Sequence, residues 1–526
     1  MAMTMILSMS MTAFAAEDAT RLTGTGKLTI NNTVADKTLD LYQIFTATKN
    51  EAGNVAYTLN PEYEGFFKKN VDGASKLTGE ELSEKAYEYV KAQVGEDGKN
   101  GVNFAKAMLT WILSNTSTVD ATHKAVTTTT GSTVISDLAY GYYVVYPLGA
   151  TDTSAAPGEQ DYTSVASLVS VTGTDATVNM KSNYPTVVKK VNDKNADDVN
   201  IGDTVTYTLT SKVPDMTGYT SYVFNFKDTL SAGLTFKEIT SVTVGSGENV
   251  QNVTAGTGDN TYTLTHDGQN ITITMNNFLA SNANKAGQEI KVTYTATLNK
   301  DAVTGFDANK NSATVEYSNK PGTDNKGESE PSIVDVHTFN FTIFKYYLKD
   351  AAKTGLANAE FELYKANGEV AGDKVNIKKV TNGEYRVATS EEAAAEGFKS
   401  DVIVSDNNGK VLVKGLDAGT YYLRETKAPE GYNKLLSDIK VEIKATYGAE
   451  GKLESYTVDY TYNGTTTQGT AITNKTDSPE VAVENKTGAQ LPSTGSKGAL
   501  MVTLAGIVLF GVLTASKAFG KKKANN

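Results

Sequence analysis

The chain has 526 residues, a formal net charge of −11 and no cysteine. At roughly 150 residues per domain this length predicts three domains, and the negative charge argues against the basic surface that nucleic-acid binding needs. Cysteine is absent, so no disulfide can form, and the 3 histidines offer few ligands for a metal and few residues for histidine-based catalysis. We therefore expect neither a metal nor a cofactor.

The N-terminal residues are typical of an export signal. Residues 5–15 are apolar or small and end in Ala13-Phe14-Ala15, a small-x-small pattern at which signal peptides are cleaved. No Lys or Arg precedes them, so we expect the true start of the protein to lie further upstream. A buried N-terminal strand is the alternative to a signal peptide at residues 1–15.

The first domain, predicted for residues 16–180, mixes helices and strands. Apolar residues recur every four positions in two segments, as in amphipathic helices: Leu82-Ala86-Val90 and Phe104-Met108-Ile112. Strand-like runs flank them, for example 27–30 and 140–146.

The second and third domains, predicted for residues 181–333 and 334–490, are dominated by strand patterns. Apolar residues alternate with threonine around 205–209, and Asp267-Gly268 separates two alternating runs, which is a strong hairpin signal. The polar segments 322–331 and 476–489 fit linkers. Many short strands favour sandwiches, so we predict a mainly β protein of tandem Ig-like domains, the first with inserted helices.

A five-residue motif near the C-terminus is followed by an apolar run and a basic tail. The motif is Leu491-Pro492-Ser493-Thr494-Gly495, the run covers residues 500–515, and the tail has three consecutive lysines at 521–523. The run is just long enough to span a bilayer with the lysines on the cytoplasmic side. An ordinary single-span anchor is one interpretation.

The order of motif, apolar run and basic tail in residues 491–526 resembles the cell-wall sorting signal of Gram-positive surface proteins. The resemblance implies that a sortase cysteine attacks the carbonyl carbon of Thr494, releases Gly495 and forms an acyl-enzyme. Leu491 and Pro492 complete the recognised motif, and Pro492 fixes an extended backbone that an enzyme can reach. We therefore expect an extracellular protein that is bonded to peptidoglycan.

The segment 421–432 has the sequence YYLRETKAPEGY. It resembles the E-box of Gram-positive shaft pilins, Y-x-L-x-E-T-x-A-P-x-G-Y, at every fixed position. Strand alternation places Tyr421, Leu423 and Glu425 on one face, toward the core. The resemblance implies Ig-like domains of the collagen-adhesin type, in which a buried acid catalyses an amide bond between a lysine and an asparagine.

For the third domain, the resemblance implies a lysine in the first strand and an asparagine in the last. Lys345 fits, because it shares a strand face with Phe341 and Ile343. Asn474, which follows Ala471-Ile472-Thr473, is the predicted asparagine, and Glu425 is the predicted acid. The alternatives are a solvated strand lysine and a turn asparagine.

The second domain shows the same pattern without an E-box. Alternation directs Lys189 inward and Lys190 outward, and it directs Asp228 to the core face of its strand. Asn311 opens what we predict to be the last strand. Asp228 resembles the catalytic acid of the family's middle domain, and a strand-ending cap is the alternative. The first domain offers no comparable set.

Shaft pilins also present one exposed lysine to the next subunit, often after a Tyr-Pro pair. Here Tyr184-Pro185 is followed by Thr186, so that pattern is broken. We predict Lys181, at the end of the first domain, as the polymerisation lysine, with Lys190 as the second candidate. A solvated lysine at a domain junction is the alternative.

The resemblance implies a structural subunit, not an enzyme, of a covalently polymerised, wall-anchored pilus involved in surface adhesion. Expected partners are identical subunits joined head to tail, pilus-specific and housekeeping sortases, accessory tip and base pilins, and peptidoglycan. A monomeric wall-anchored adhesin would share these features and is the alternative. A secreted hydrolase is disfavoured, because no nucleophile–histidine–acid arrangement is recognisable.

Overall fold

A computed structural model of the protein describes residues 23–95, 101–151, 165–180 and 183–488. The expected signal peptide, Lys181 and the whole sorting signal at 491–526 lie outside the described residues. Within those four ranges, no helix is long and apolar enough to cross a membrane.

The first region combines strands with three helices, as the sequence predicts. The elements are β1 Thr25–Thr33, β2 Thr38–Lys49, β3 Val55–Leu59, α1 Glu64–Asn70, α2 Gly79–Val94, α3 Gly101–Ser114, β4 His123–Thr127, β5 Gly131–Ala139, β6 Gly141–Pro147, β7 Ser167–Val171 and β8 Asp175–Asn179. One sheet has the order β5-β1-β8 and the other β3-β2-β6-β7, with β4 paired to β2. The predicted apolar faces of α2 and α3 are buried in one core with β2 and β6.

The middle region consists almost entirely of strands. The elements are β9 Val188–Val191, β10 Ala196–Asp198, β11 Thr204–Lys212, β12 Phe224–Leu230, β13 Leu234–Val244, β14 Gln251–Asn252, β15 Thr254–Ala255, β16 Thr261–Asp267, β17 Asn270–Met275, α4 Phe278–Asn282, β18 Glu289–Leu298, β19 Asn309–Ser318, β20 Lys326–Glu328 and β21 Ser332–His337. They form two sheets, β14-β13-β18-β11-β9 and β10-β21-β19-β12-β17-β16-β15, with β20 paired to β19. The predicted hairpin is confirmed, since β16 and β17 pair across a turn in which Gly268 has φ 58°.

The third region, like the middle one, consists mainly of strands and has one short helix. The elements are β22 Phe339–Lys349, β23 Ala352–Gly355, β24 Glu360–Asn367, β25 Val370–Lys374, β26 Ile377–Thr381, β27 Glu384–Val387, α5 Ser390–Ala394, β28 Ile403–Val404, β29 Lys410–Leu416, β30 Gly419–Lys427, β31 Ile439–Tyr447, β32 Leu453–Tyr462, β33 Thr465–Thr467 and β34 Glu480–Glu484. The sheets are β23-β22-β29-β27-β26, with β34 paired to β22, and β25-β24-β30-β31-β32-β33, with β28 paired to β24.

The chain divides into two compact units between Thr338 and Phe339, and the short pieces 389–391 and 446–454 belong to the first unit. The mainly β class and the helices inserted in the first region are confirmed. Each sheet takes its strands from one of the three regions. The domain limits themselves stay a prediction, and β21 continues past the predicted limit at residue 333.

Candidate amide cross-link sites

In the middle region, alternation along β9 buries Lys189. Val188 is exposed, Lys189 is buried, Lys190 is half-buried and Val191 is buried. The strand pairs with β11, where Lys189 lies opposite Leu209. The Nζ atom of Lys190 instead reaches Oδ1 of Asn195 at 2.6 Å, so the two neighbouring lysines point to different environments, as predicted.

Asp228 and Asn311 enter the same core from the facing sheet. Asp228 shares the buried face of β12 with Phe224 and Phe226, which excludes the alternative of an exposed strand-ending cap. Asn311 is fully buried near the start of β19, which pairs with β12. Strand β19 is not the last strand, because β20 and β21 follow it in the same sheet; that part of the prediction is wrong.

Lys189, Asp228 and Asn311 converge on a fourth residue, Tyr294 of β18. Nζ of Lys189 lies 2.5 Å from Oδ2 of Asp228 and 2.9 Å from the Tyr294 hydroxyl. That hydroxyl donates to Oδ2 of Asp228 at 2.6 Å and accepts from Nδ2 of Asn311 at 2.7 Å. The remaining oxygens, Oδ1 of Asp228 and Oδ1 of Asn311, are buried without a hydrogen-bond partner among the described residues.

The surroundings of Lys189 favour a neutral amine. Its side chain has no solvent exposure, which favours the neutral form. The rings of Tyr207 and Tyr294, whose centroids lie 4.9 Å and 5.1 Å from Nζ, act in the opposite direction. Burial lowers the pKa of Lys189, and the charge and hydrogen bond of Asp228 oppose that shift. A lysine that gives up its proton here becomes a nucleophile held close to a side-chain amide.

The third region builds a second such core with different partners. Phe341, Ile343 and Lys345 share the buried face of β22, and Glu425 follows Tyr421 and Leu423 on the buried face of β30. Both alternation predictions are confirmed.

Nζ of Lys345 lies 3.0 Å from Oε1 of Glu425, and neither side chain is exposed. The backbone N–H of Leu435 donates to Oε2 of Glu425 at 2.7 Å and holds the carboxyl in place. Burial lowers the pKa of Lys345 to about 8, against the opposing effect of Glu425.

The asparagine of this core is Asn485, and the prediction of Asn474 is wrong. Nδ2 of Asn485 donates to Oε1 of Glu425 at 3.2 Å, and Asn485 is buried. Asn474 is exposed, and its Oδ1 accepts from the backbone N–H groups of Thr476 and Asp477 at 2.9 and 3.2 Å. This is an Asx-type turn, in which the asparagine side chain accepts hydrogen bonds from backbone N–H groups two and three residues later.

The last strand of this region explains the correction. It is β34, which lies parallel to β22 with Lys345 opposite Val483, so Asn485 follows directly after it. The interpretation of 476–489 as a linker is wrong for residues 480–484, which form this strand. The alternation of Val481, Val483 and Asn485, all buried, is the signal that could have identified the strand.

Tyr294 was also not identified as part of a site from the sequence. Its place in the alternation of β18 indicates burial, and burial is confirmed, but the pattern carries no information about its hydroxyl contacts. Within the described ranges, no group of three or more His, Asp or Glu side chains is placed to hold a metal. Lys181 and the Leu491–Gly495 motif cannot be placed, because they lie outside those ranges.

Two family models match the all-strand regions. Residues 201–321 match "Gram-positive pilin backbone subunit 2, Cna-B-like domain", and residues 343–457 match "SpaA: Prealbumin-like fold domain". A curated relative, the trypsin-resistant surface T6 protein of Streptococcus pyogenes serotype M6, is 24% identical over 317 residues, covering 53% of this chain and 50% of the relative. The match thus spans about half the length of that relative.

Several solved structures are similar to this chain, among them the following three. The T6 backbone pilin of serotype M6 Streptococcus pyogenes has 18% identity and a TM-score of 0.45, over 90% of this chain and 94% of that one. The major pilin BcpA of Bacillus cereus has 17% identity and a TM-score of 0.37, over 89% and 100%. The group B streptococcus pilus 2b backbone protein has 27% identity and a TM-score of 0.40, over 58% and 99%.

Proposed function

The chain belongs to the Gram-positive pilin backbone proteins, and from that premise we propose that it is the shaft subunit of a sortase-assembled pilus, reinforced by two internal amide bonds. The bonds join Lys189 to Asn311 and Lys345 to Asn485. The observation that carries the proposal is the pair of buried lysine, acid and asparagine sets, one in each all-strand core.

In the middle core, Lys189 first gives its proton to Asp228, to which it is hydrogen bonded. The neutral amine attacks Cγ of Asn311, and a tetrahedral carbon forms. The Cγ–Nδ2 bond then breaks, a proton joins the leaving nitrogen, and ammonia departs. The product is a secondary amide plus ammonia, so no oxidant or other reactant is needed.

In the third core, Lys345 attacks Cγ of Asn485 in the same way. Oε1 of Glu425 contacts both the attacking and the leaving nitrogen, at 3.0 and 3.2 Å. One carboxyl oxygen is therefore placed to take the proton from Lys345 and return it to Nδ2 of Asn485.

The cost of burying charged groups favours the reaction of each lysine with its asparagine. An unreacted ion pair in a dry core is a weak source of stability, because desolvation costs several kcal/mol per ion. A reaction that converts the pair into a neutral amide removes that cost. It also supplies a cross-link in a chain that has no cysteine.

For polymerisation, we assign Thr494 of one subunit to a bond with Lys181 of the next. The residues on either side of Lys181 and Ser182 are anchored: the N–H of Met180 donates to the carbonyl of Asn31, and Asn183 exchanges backbone hydrogen bonds with Thr151. A lysine at this position in the chain is far from the C-terminus in sequence, which suits head-to-tail linkage. Housekeeping sortase, peptidoglycan, and tip and base pilins complete the proposed assembly.

Tandem mass spectrometry of digested polymer tests this assignment. We expect a branched peptide carrying Leu491–Thr494 on Lys181, and loss of the SDS-resistant ladder in Lys181→Ala. Lys190→Ala is the matched control and should polymerise normally. A branch on Lys190 would overturn the choice of lysine, and the absence of any branched peptide would favour the monomeric wall-anchored adhesin.

A further inference from the structure

The Tyr294 hydroxyl contacts all three reacting residues of the middle core. It lies 2.9 Å from Nζ of Lys189, 2.6 Å from Oδ2 of Asp228 and 2.7 Å from Nδ2 of Asn311. The residue is fully buried on β18, and its ring stacks on Tyr207 with centroids 5.2 Å apart and planes at 27°. The ring stack fixes where the hydroxyl is.

The donor and acceptor roles around this hydroxyl are determined by its neighbours. The side-chain nitrogens of Lys189 and Asn311 carry the hydrogens that they donate. The hydroxyl accepts from both and directs its own hydrogen to Oδ2 of Asp228. Its one donor and two acceptor positions are thus all used.

The acid of this core does not reach the leaving group. Oδ2 of Asp228 contacts Lys189 and Tyr294, and its Oδ1 has no partner among the described residues. Nδ2 of Asn311 contacts Tyr294. The leaving nitrogen must nevertheless gain a proton to depart as ammonia, and the Tyr294 hydroxyl is hydrogen bonded to both Asp228 and Nδ2 of Asn311.

The third core supports this interpretation by contrast. There the acid is glutamate, longer by one methylene, and Oε1 of Glu425 accepts directly from Nδ2 of Asn485 at 3.2 Å. No tyrosine hydroxyl is needed between them. The acid is therefore connected to the leaving nitrogen in both cores: through the Tyr294 hydroxyl when the acid is aspartate, and directly when it is glutamate.

Building on the amide bond proposed above, we propose that Tyr294 is a catalytic residue that relays a proton from Asp228 to the leaving nitrogen of Asn311. After Lys189 attacks, Asp228 holds the proton taken from Nζ. Tyr294 passes its own proton to Nδ2 and receives that of Asp228. The Cγ–Nδ2 bond breaks, ammonia leaves, and the Asp228 carboxylate takes the last proton from the new amide nitrogen. Atoms and charge balance.

The test is Tyr294→Phe, which keeps the stacked ring and removes the hydroxyl. The full chain is made by cell-free synthesis and its intact mass is followed with time. Loss of a general acid typically slows a reaction by about 10²–10⁴-fold, so the middle-core ammonia should be lost far more slowly. The third-core bond forms without Tyr294 and serves as an internal reference. Tyr317→Phe, a buried tyrosine on β19, is the matched control.

Two further results separate this proposal from its alternatives. A wild-type chain that never loses the middle-core ammonia would overturn the proposed bond itself, whereas Tyr294→Phe reacting at the wild-type rate would overturn only the relay. In the Asn311→Ala background no middle bond can form. There Tyr294→Phe should leave the melting temperature nearly unchanged, and loss of the folding transition would assign the hydroxyl to folding instead.

Discussion

Replacing Asn485 by alanine tests the corrected third-core site most directly. The wild-type chain should lose two molecules of ammonia, about 17 Da each, because each amide bond displaces one. Asn485→Ala should lose one, since Lys345 would have no amide carbon to attack. The measurement is the intact mass of the purified chain.

The expected effect on stability follows from the length of the closed loop. A bond from Lys345 to Asn485 encloses nearly the whole third region, and loop-closure entropy for about 140 residues is worth about 5 kcal/mol. For a domain of roughly 150 residues, 1 kcal/mol shifts the melting temperature by about 2–4 °C. The third-region transition should therefore fall by about 10–20 °C in Asn485→Ala when followed by calorimetry.

Asn474→Ala is the matched control, because it removes an asparagine from the same end of the chain at an exposed turn. It should keep both ammonia losses and shift the melting temperature little. The reasoning would be refuted if Asn474→Ala lost a bond while Asn485→Ala kept both. A calorimetric profile unchanged by Asn485→Ala would refute the loop-closure argument even if the mass result held.

The acids and the pH dependence give three further predictions. Asp228→Ala and Glu425→Ala should each abolish one ammonia loss by intact mass; if both losses persist, the acids have only a structural role. Because Glu425 takes the proton of Lys345 inside the core, the reacting pair holds one proton, which it loses to solvent as the pH rises through the lowered pKa of Lys345, about 8. The rate of third-core bond formation should therefore be level from pH 6 to 8 and fall above pH 8, and a rate that keeps rising above pH 8 would contradict the proton transfer by Glu425. In Asn485→Ala, where Lys345 stays titratable, stability in urea should rise between pH 8 and 10.5, because in that window the unfolded chain binds the proton and the folded chain does not.

Side-chain alternation along single strands predicts which residues face each core, even though it does not show which strands pair with one another. Lys189, Asp228, Lys345 and Glu425 are all buried where a period of two places them. Each lies in a strand of at least four residues with apolar neighbours on the same face. For such strands the local pattern is sufficient, because burial of the apolar face fixes the register.

Asn485 is harder to identify, because the alternation of Val481, Val483 and Asn485 is short and its strand pairs with a distant partner. Strand β34 has five residues and follows a turn-rich segment, so its local pattern competes with that of a linker. Its backbone pairs in parallel with β22, more than a hundred positions earlier in the chain. Local periodicity carries no information about such a pairing, whereas an Asx-type turn such as that of Asn474 is entirely local.

The parallel pairing of β22 and β34 also determines in which direction tension along a fibre would load the hydrogen bonds between these two strands. In the proposed polymer, tension would act on the start of β22 and on the chain that leaves β34 toward Thr494. In a parallel pair these forces shear the register from Thr342–Glu480 to Tyr346–Glu484. A bond from Lys345 to Asn485 lies beside that register, so the force would pass through an amide and not through backbone hydrogen bonds.

The same argument fits the absence of a comparable buried set among the described residues of the first region. With Lys181 and Thr494 as the two linkage points, force runs along the backbone from Lys181 to Lys189, crosses to Asn311, continues to Lys345, and crosses again to Asn485 before it reaches Thr494. The first region precedes Lys181 and lies off this path. Its described buried polar side chains include no lysine and no asparagine. The two proposed cross-links would therefore lie in the two regions that carry tension in the proposed fibre.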